Sequence, residues 1–151
     1  MNVIIRKFLE KDFNAVLILW RIARERSLPE FERTKGHFLF EDLAYLRDRI
    51  LAKDMVWMAV DAQDSPIGFL AMQGDLIDHL YVHPNHWRQG IGRAMLDKAL
   101  LTSPAGVCLF TLQINTVAQH FYEKNGFTII ARGVSPAPEN EPDLKHEYRP
   151  E

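Results

Sequence analysis

Between Leu76 and Leu101 an apolar segment, a loop with two glycines and an amphipathic segment follow one another without a break. No other run constrains the fold as tightly. Leu76–Val82 reads as a strand, and Gly90–Leu101 reads as a helix stopped by Pro104 and Gly106. The junction is Trp87-Arg88-Gln89-Gly90-Ile91-Gly92-Arg93. Glycines there let the backbone bend and approach a ligand closely. The helix N-terminus presents free N–H groups and the positive end of a dipole. Such a nest suits a pyrophosphate, and Arg88 and Arg93 flank it for charge-assisted contacts. Taken alone, a tight turn that packs the helix explains the glycines equally well. A P-loop would need Gly-Lys-Ser/Thr, where this chain has Gly92-Arg93-Ala94. A dinucleotide fingerprint would need a third glycine, where it has Met95.

The flanking segments read as a mixed α/β chain. Val3–Phe8 predicts a strand and Lys11–Arg26 a helix, with Phe13, Val16, Leu17, Trp20 and Ala23 on one face and Asp12 in the first turn, where the dipole favours it. Leu28–Phe38, with Pro29 and Gly36, predicts an irregular stretch. Glu41–Ala52 predicts a helix, and Leu39, Leu43, Leu46 and Ile50 make its stripe. Val56–Val60, Ile67–Met72 and Leu76–Val82 predict antiparallel strands joined by turns at Ala62–Ser65 and Gly74-Asp75. After the second large helix come a strand at Val107–Leu112, a helix at Asn115–Lys124 and a strand at Phe127–Ala131. Asn115 suits the N-cap of that helix and Gly126 its stop. A weak strand at Leu144–Arg149 follows an acidic, proline-bearing loop over Pro136–Asp143. The order is βααβββαβαββ, in one domain over 1–151.

Composition narrows the function classes. A formal net charge of −2 argues against a nucleic-acid surface. The charged N-terminal dozen, with no apolar run behind it, predicts neither a signal peptide nor a membrane span. One cysteine, Cys108, cannot form an internal disulfide, and its apolar neighbours Val107 and Leu109 suit a buried inert thiol. The expectation is a cytoplasmic chain. His79, His83 and His86 lack the helical spacing of familiar zinc pairs, so no metal site is expected.

The segment Asn115-Thr116-Val117-Ala118-Gln119-His120-Phe121-Tyr122-Glu123-Lys124-Asn125-Gly126-Phe127 lies one strand after the phosphate loop. Asn115 and Tyr122 are two turns apart on one helix face. Read in isolation, Phe121 and Tyr122 are core aromatics. Combined with Leu80-Tyr81-Val82-His83-Pro84 and the Gly90-Ile91-Gly92 loop, the pattern resembles the GNAT superfamily of N-acetyltransferases. The specific part runs over about 50 residues from Asp78 to Phe127, and the opening Ile4–Phe8 with Asp12 is also similar. Trp87 and Arg88 depart from the common loop, where Gln or Arg and then Gly are usual.

The resemblance implies a mixed, mostly antiparallel sheet of about six to seven strands flanked by about four helices. It implies acetyl-coenzyme A as cofactor and direct transfer of the acetyl group to a small-molecule or peptide amine, with neither nucleic acid nor membrane as partner. A homodimer is compatible with it, and so is a catalytically silent acetyl-coenzyme A sensor. The implied cofactor surface is Leu80, Tyr81, Val82, Trp87, Arg88, Gln89, Gly90, Ile91, Gly92, Arg93, Asn115, Ala118, Phe121 and Tyr122. A backbone N–H near Leu80–Val82 would face the oxyanion, and the Tyr122 hydroxyl would protonate the departing thiolate. Asp78 is the first choice of base and His79 the second. A regular strand points them to opposite faces, with Asp78 alongside Leu80 and Val82. A solvated strand residue explains either of them as well. Trp20, Phe31 and Glu32 are the candidate wall of the acceptor site.

Overall fold

The computed structural model describes residues 3–137 and 139–150. Its elements are β1 (Ile4–Lys7), α1 (Phe13–Ser27), α2 (Pro29–Lys35), α3 (39–53), β2 (Met55–Val60), β3 (Pro66–Gln73), β4 (Leu76–Val82), α4 (Ile91–Thr102), β5 (Val107–Leu112), α5 (Thr116–Lys124), β6 (Thr128–Val134) and β7 (Pro142–Tyr148). The strands form one seven-stranded sheet in the order β1-β2-β3-β4-β5-β7-β6. All neighbours are antiparallel except β4 and β5.

The sheet is covered on both faces, and β3 shows why. Phe69 and Ala71 pack against α1 and α3 with Val16, Leu17, Trp20, Leu46, Ile50 and Met58. Leu70 and Met72 pack on the other side with Ile91, Met95, Leu96 and Ala99 of α4 and Tyr122 of α5. A strand buried on both faces loses the alternation of a half-exposed one and reads as a continuous apolar run, Ile67 to Met72.

Three expectations are corrected. The stretch Leu28–Phe38 is not all irregular, because Pro29 starts α2 at its first helical position, where a missing N–H costs nothing. The second predicted helix begins earlier, at Leu39, and contains a π-helical turn, Leu46–Ile50, before its last α turn, Leu51–Lys53. The last strand is not marginal: β7 starts at Pro142 and pairs with β5 on one side and β6 on the other. Among the described residues no helix is long and apolar enough to cross a membrane.

Asp12 acts less through the helix dipole than through a clamp. Its carboxylate is buried and takes both Arg6 nitrogens, at 2.8 and 3.0 Å, and the Leu9 N–H at 2.9 Å. The Arg6 hydrogen bonds, the largest influence, hold the carboxyl below the usual aspartate range. This ties β1 to the start of α1. Asp12→Asn should cost about 2 kcal/mol, less than for a fully buried pair because Arg6 is partly solvated. A group whose folded pKa is depressed contributes stability above its unfolded pKa and loses it as pH falls through the folded one. The Tm gap between parent and variant should therefore be full at pH 7 and close below about pH 4, as thermal melts would measure.

Candidate functional site

The site begins where β4 leaves the regular ladder. Ala71 of β3 pairs with His79, but the next residue, Met72, pairs with Ile77, so Asp78 is an extra residue in β4. A bulge of this kind resets the alternation of side chains. Ile77, Leu80 and Val82 pack on the α4 side, whereas Tyr81 packs toward α1. His79 stacks between Phe69, Tyr81, Trp20 and Tyr45 on that second side. Asp78 is with it, its Oδ2 at 3.6 Å from His79 Nε2. The expectation of opposite faces for Asp78 and His79, with Asp78 beside Leu80 and Val82, is therefore corrected. It assumed a regular strand.

The same strand parts from β5. Their pairing is confined to Leu76 and Cys108. Beyond it, the β5-facing backbone groups of β4 have no ladder partner among the described residues. The gap opens into a cleft of about 190 Å³ lined by Ile77 through Tyr81 of β4, Leu109 through Leu112 of β5, and Asn115, Ala118 and Tyr122 of α5. Arg24, Leu28, Phe31, Glu32 and Glu139 close its other end. Phe31 and Glu32 thus line the cleft. Trp20 does not: its indole is buried under the Arg24 guanidinium, 4.2 Å from the ring centre, and against His79.

Tyr122 is almost fully buried by Phe121, Phe127 and His146, yet it lines the cleft. Its hydroxyl has no hydrogen-bond partner among the described residues. Burial first, and the neighbouring Tyr81 second, push its pKa upward, so it stays protonated through the neutral range. His79 is pushed the other way, chiefly by desolvation, and is neutral at pH 7. Sequence reasoning passed over Thr111 and His146. The Thr111 hydroxyl lies 2.7 Å from His146 Nε2, and Thr111 lines the cleft. His146 is fully buried, and its Nδ1 lacks a protein partner among the described residues. The available signal was a histidine in a strand bordered by Leu144 and Tyr148, but its partner lies on another strand.

The loop from Trp87 to Arg93 continues from β4 at the end beyond Val82. The Trp87 indole N–H donates to the Val82 carbonyl at 2.7 Å and pins the loop to the strand. Arg88 has φ +62°, a left-handed conformation that glycine adopts freely. Gly90, at φ +83°, caps α4 without any side-chain cap. The first intrahelical bond runs from Ala94 N–H to Gly90 C=O, so the N–H groups of Ile91, Gly92 and Arg93 are left without one. The Arg93 guanidinium does not turn back to them. It bonds Asp97 and Asn125, at 3.0 and 2.9 Å. Asn115 caps α5, its Oδ1 accepting the Ala118 N–H at 3.1 Å.

The acetyltransferase (GNAT) domain family matches residues 52–129. Peptidyl-lysine N-acetyltransferase YjaB of Salmonella typhimurium is 30% identical over 132 residues, which cover 87% of this chain and 88% of that protein. Peptidyl-lysine N-acetyltransferase YiaC of Escherichia coli is 27% identical over 127 residues, covering 83% and 84%. The solution structure of apo-form YjaB from Escherichia coli superposes with a TM-score of 0.80 at 25% identity, with 98% of each chain covered.

The two loop glycines are needed for different reasons. A side chain on Gly90 would meet nothing within 4 Å, but the backbone there is left-handed. A Cβ on Gly92 would lie 2.8 Å from Cζ of Phe121, so Gly92 lets α4 approach α5. Gly90→Ala should cost about 1 kcal/mol of backbone strain and leave the packing alone. Gly92→Val should cost about 1–3 kcal/mol and displace the Phe121 ring, and with it Tyr122. Thermal melts and near-ultraviolet circular dichroism would separate the two, with a changed aromatic signal only for the second.

Proposed function

The chain belongs to the GNAT acetyltransferase family, and on that premise we propose that its cleft acetylates the side-chain amine of a peptidyl lysine, with Tyr122 as acid and Asp78 as base. As a family member it is an N-acetyltransferase that uses acetyl-coenzyme A. The observation that carries the reading is the gap between β4 and β5, which starts at Leu76 and is lined by Tyr122.

The residues present fit the cofactor. Unpaired backbone groups of β4 suit the amides of its pantetheine arm, and Leu80, Leu109 and Ala118 offer it apolar walls. The free N–H groups of Ile91, Gly92 and Arg93 suit its pyrophosphate. Trp87, Arg88 and Gln89 shape the loop before them, while Phe121 supports α4 from behind. When bound, acetyl-coenzyme A supplies the thioester carbonyl that the amine attacks.

The protein's own groups then have defined tasks. Backbone N–H groups over Leu80–Val82 would face the carbonyl oxygen and stabilise charge there. The Tyr122 hydroxyl would hold a proton toward the sulfur. Asp78 takes a proton from the amine. At pH 7 only about one lysine amine in 10³ is unprotonated, so a base inside the cleft has work to do. Leu28 and Phe31 suit the aliphatic stem of a lysine, and Glu32, Asp78 and Glu139 suit its ammonium group. Two peptidyl-lysine acetyltransferases among the relatives support this acceptor class.

Mass spectrometry of lysine peptides incubated with acetyl-coenzyme A, alongside small polyamines and amino acids, tests the acceptor: acetylation confined to the small amines would overturn the lysine reading. Coenzyme A should raise Tm through ligand linkage. Tyr122→Phe keeps the ring, and no internal hydrogen bond is lost. Stability and cofactor affinity should stay near the parent's while kcat falls roughly 10-fold to 1000-fold. Equal kcat on an identified acceptor, with chemistry rate-limiting, would make Tyr122 a packing residue.

A further inference from the structure

The β5 wall of the cleft carries a hydroxyl with a partner buried behind it. Leu109 of β5 pairs with His146 of β7, and Thr111 pairs with Leu144. Thr111 and His146 are therefore diagonal neighbours, on the face that Leu109 and Tyr122 share. The Thr111 hydroxyl oxygen and His146 Nε2 stand 2.7 Å apart. His146 is fully buried, its ring centre 5.9 Å from that of Tyr122. Its Nδ1 is buried and has no hydrogen-bond partner among the described residues. Burial keeps the imidazole neutral at pH 7, against a smaller opposite pull from Glu123. A neutral imidazole has one N–H and one bare nitrogen. A buried N–H without an acceptor is a rarer orphan than an unused lone pair. The proton is thus assigned to Nε2, which donates to the Thr111 oxygen.

That assignment leaves Thr111 with its own proton free. The hydroxyl makes no second hydrogen bond among the described residues, and Thr111 lines the cleft. Among those residues β4 and β5 pair only at Leu76 and Cys108. Counted on from that pair, with Asp78 as the extra residue, Thr111 stands level with Leu80. We propose that Thr111, its hydroxyl turned by His146, donates a hydrogen bond to a carbonyl oxygen of acetyl-coenzyme A. The proposal rests on the placing of the cofactor in the gap between β4 and β5. Thr111 is then a cofactor-binding residue, and His146 is a positioning residue that acts through it.

The chemistry of the groups in the cleft selects a carbonyl. A free hydroxyl proton needs an acceptor. The ammonium group of a lysine offers none, and sulfur is a weak one. The amide carbonyls of the pantetheine arm and the thioester carbonyl are strong ones. β4 meets the arm with backbone groups, whereas β5 adds a side chain whose proton has one direction left to go. Valine has nearly the shape of threonine and suits a strand, but it offers no donor. It would also leave the His146 N–H buried without an acceptor. The pair therefore acts as a unit. Removing either member should lose the same hydrogen bond to the cofactor, and removing both should lose little more.

The test uses the intact protein. Nitrogen-15 NMR of the imidazoles at pH 7 should show one histidine, absent from His146→Phe, that is protonated at Nε2 and bare at Nδ1. The reverse tautomer in the parent overturns the proposal, whether or not any variant folds. By calorimetry, Thr111→Val should weaken acetyl-coenzyme A binding about 3-fold to 10-fold, the loss of one hydrogen bond, and Thr111→Ser should restore it. His146→Phe should weaken it about as much, and should add little to Thr111→Val. Coenzyme A and acetyl-coenzyme A separate the two carbonyl sources. An equal loss for both identifies an amide carbonyl, and a loss confined to acetyl-coenzyme A identifies the thioester. A folded Thr111→Val that binds both as tightly as the parent overturns the role of Thr111. In the parent, the amide resonances of Leu80 and Leu109, on the two walls of the cleft, should shift when coenzyme A is added. If coenzyme A binds and leaves both unmoved, the placing of the cofactor in the gap falls and the role of Thr111 falls with it. If both move while Thr111→Val binds like the parent, only the role of Thr111 falls.

Discussion

The extra residue at Asp78 is the constraint on which the site depends. Without it, β4 would keep one alternation along its length, and Asp78 would share a face with Leu80 and Val82. With it, Leu80 and Val82 stay on the α4 core while His79 and Tyr81 turn to the α1 side. A bulged strand also bends and twists more than its neighbours. The departure of β4 from β5 starts two residues earlier, after Leu76. One local irregularity thus accompanies both the opening of the cleft and the placing of a carboxylate at its floor. An open gap in the middle of a sheet leaves backbone groups unpaired, and such groups are costly unless something occupies them. The proposed partner is the amide-bearing arm of the cofactor.

The two ends of the cleft are built from different physics. The proposed cofactor end relies on backbone: the free N–H groups at α4, the left-handed residues Arg88 and Gly90, and the close approach at Gly92. The proposed acceptor end relies on charge. Arg24 stacks on Trp20, pairs with Asp42 and holds Glu32 at 3.2 Å, so one guanidinium ties α1, α2 and α3 to the rim. Arg21 shares Asp42 at 2.5 Å. Lys35 of α2 pairs with Glu141 in the connection between β6 and β7, which closes the rim from the far end of the chain. Backbone geometry suits a cofactor common to a family, and side-chain charge can change with the acceptor.

These two ends were unequally legible in the sequence. β4 and β5 run over the residues expected of them, and the strand–glycine–helix junction and the Asn115 cap are where the sequence places them. Each is a local signal, with its cause and its residues within a few positions. The bulge carried no such signal, because Asp78 has no glycine or proline beside it and period-2 reasoning assumes regularity. Pro29 was read as a breaker although it opens α2. Trp20, on the buried stripe of α1, was offered as a cleft wall, yet Arg24 one turn later takes that place. Thr111 and His146 meet from different strands, which no spacing along the chain reveals.

The burial that supports Tyr122 also decides what sets the pH response of the site. A phenol held above its ordinary value keeps its proton at every pH near neutrality, so its availability as a donor does not vary there. A thiol of ordinary acidity, near about 8.5, is a stronger acid than such a phenol, so complete proton transfer from Tyr122 is uphill. In the proposed reaction its contribution is therefore greatest as a hydrogen bond to the developing thiolate, a charge-assisted contact stronger in the transition state than in the ground state. His79 is neutral over the same range and adds no titration near pH 7. Asp54 is pushed up to about 7, chiefly by burial, and does titrate there. On the proposed reading the tyrosine acts through geometry and polarity rather than through its own ionisation.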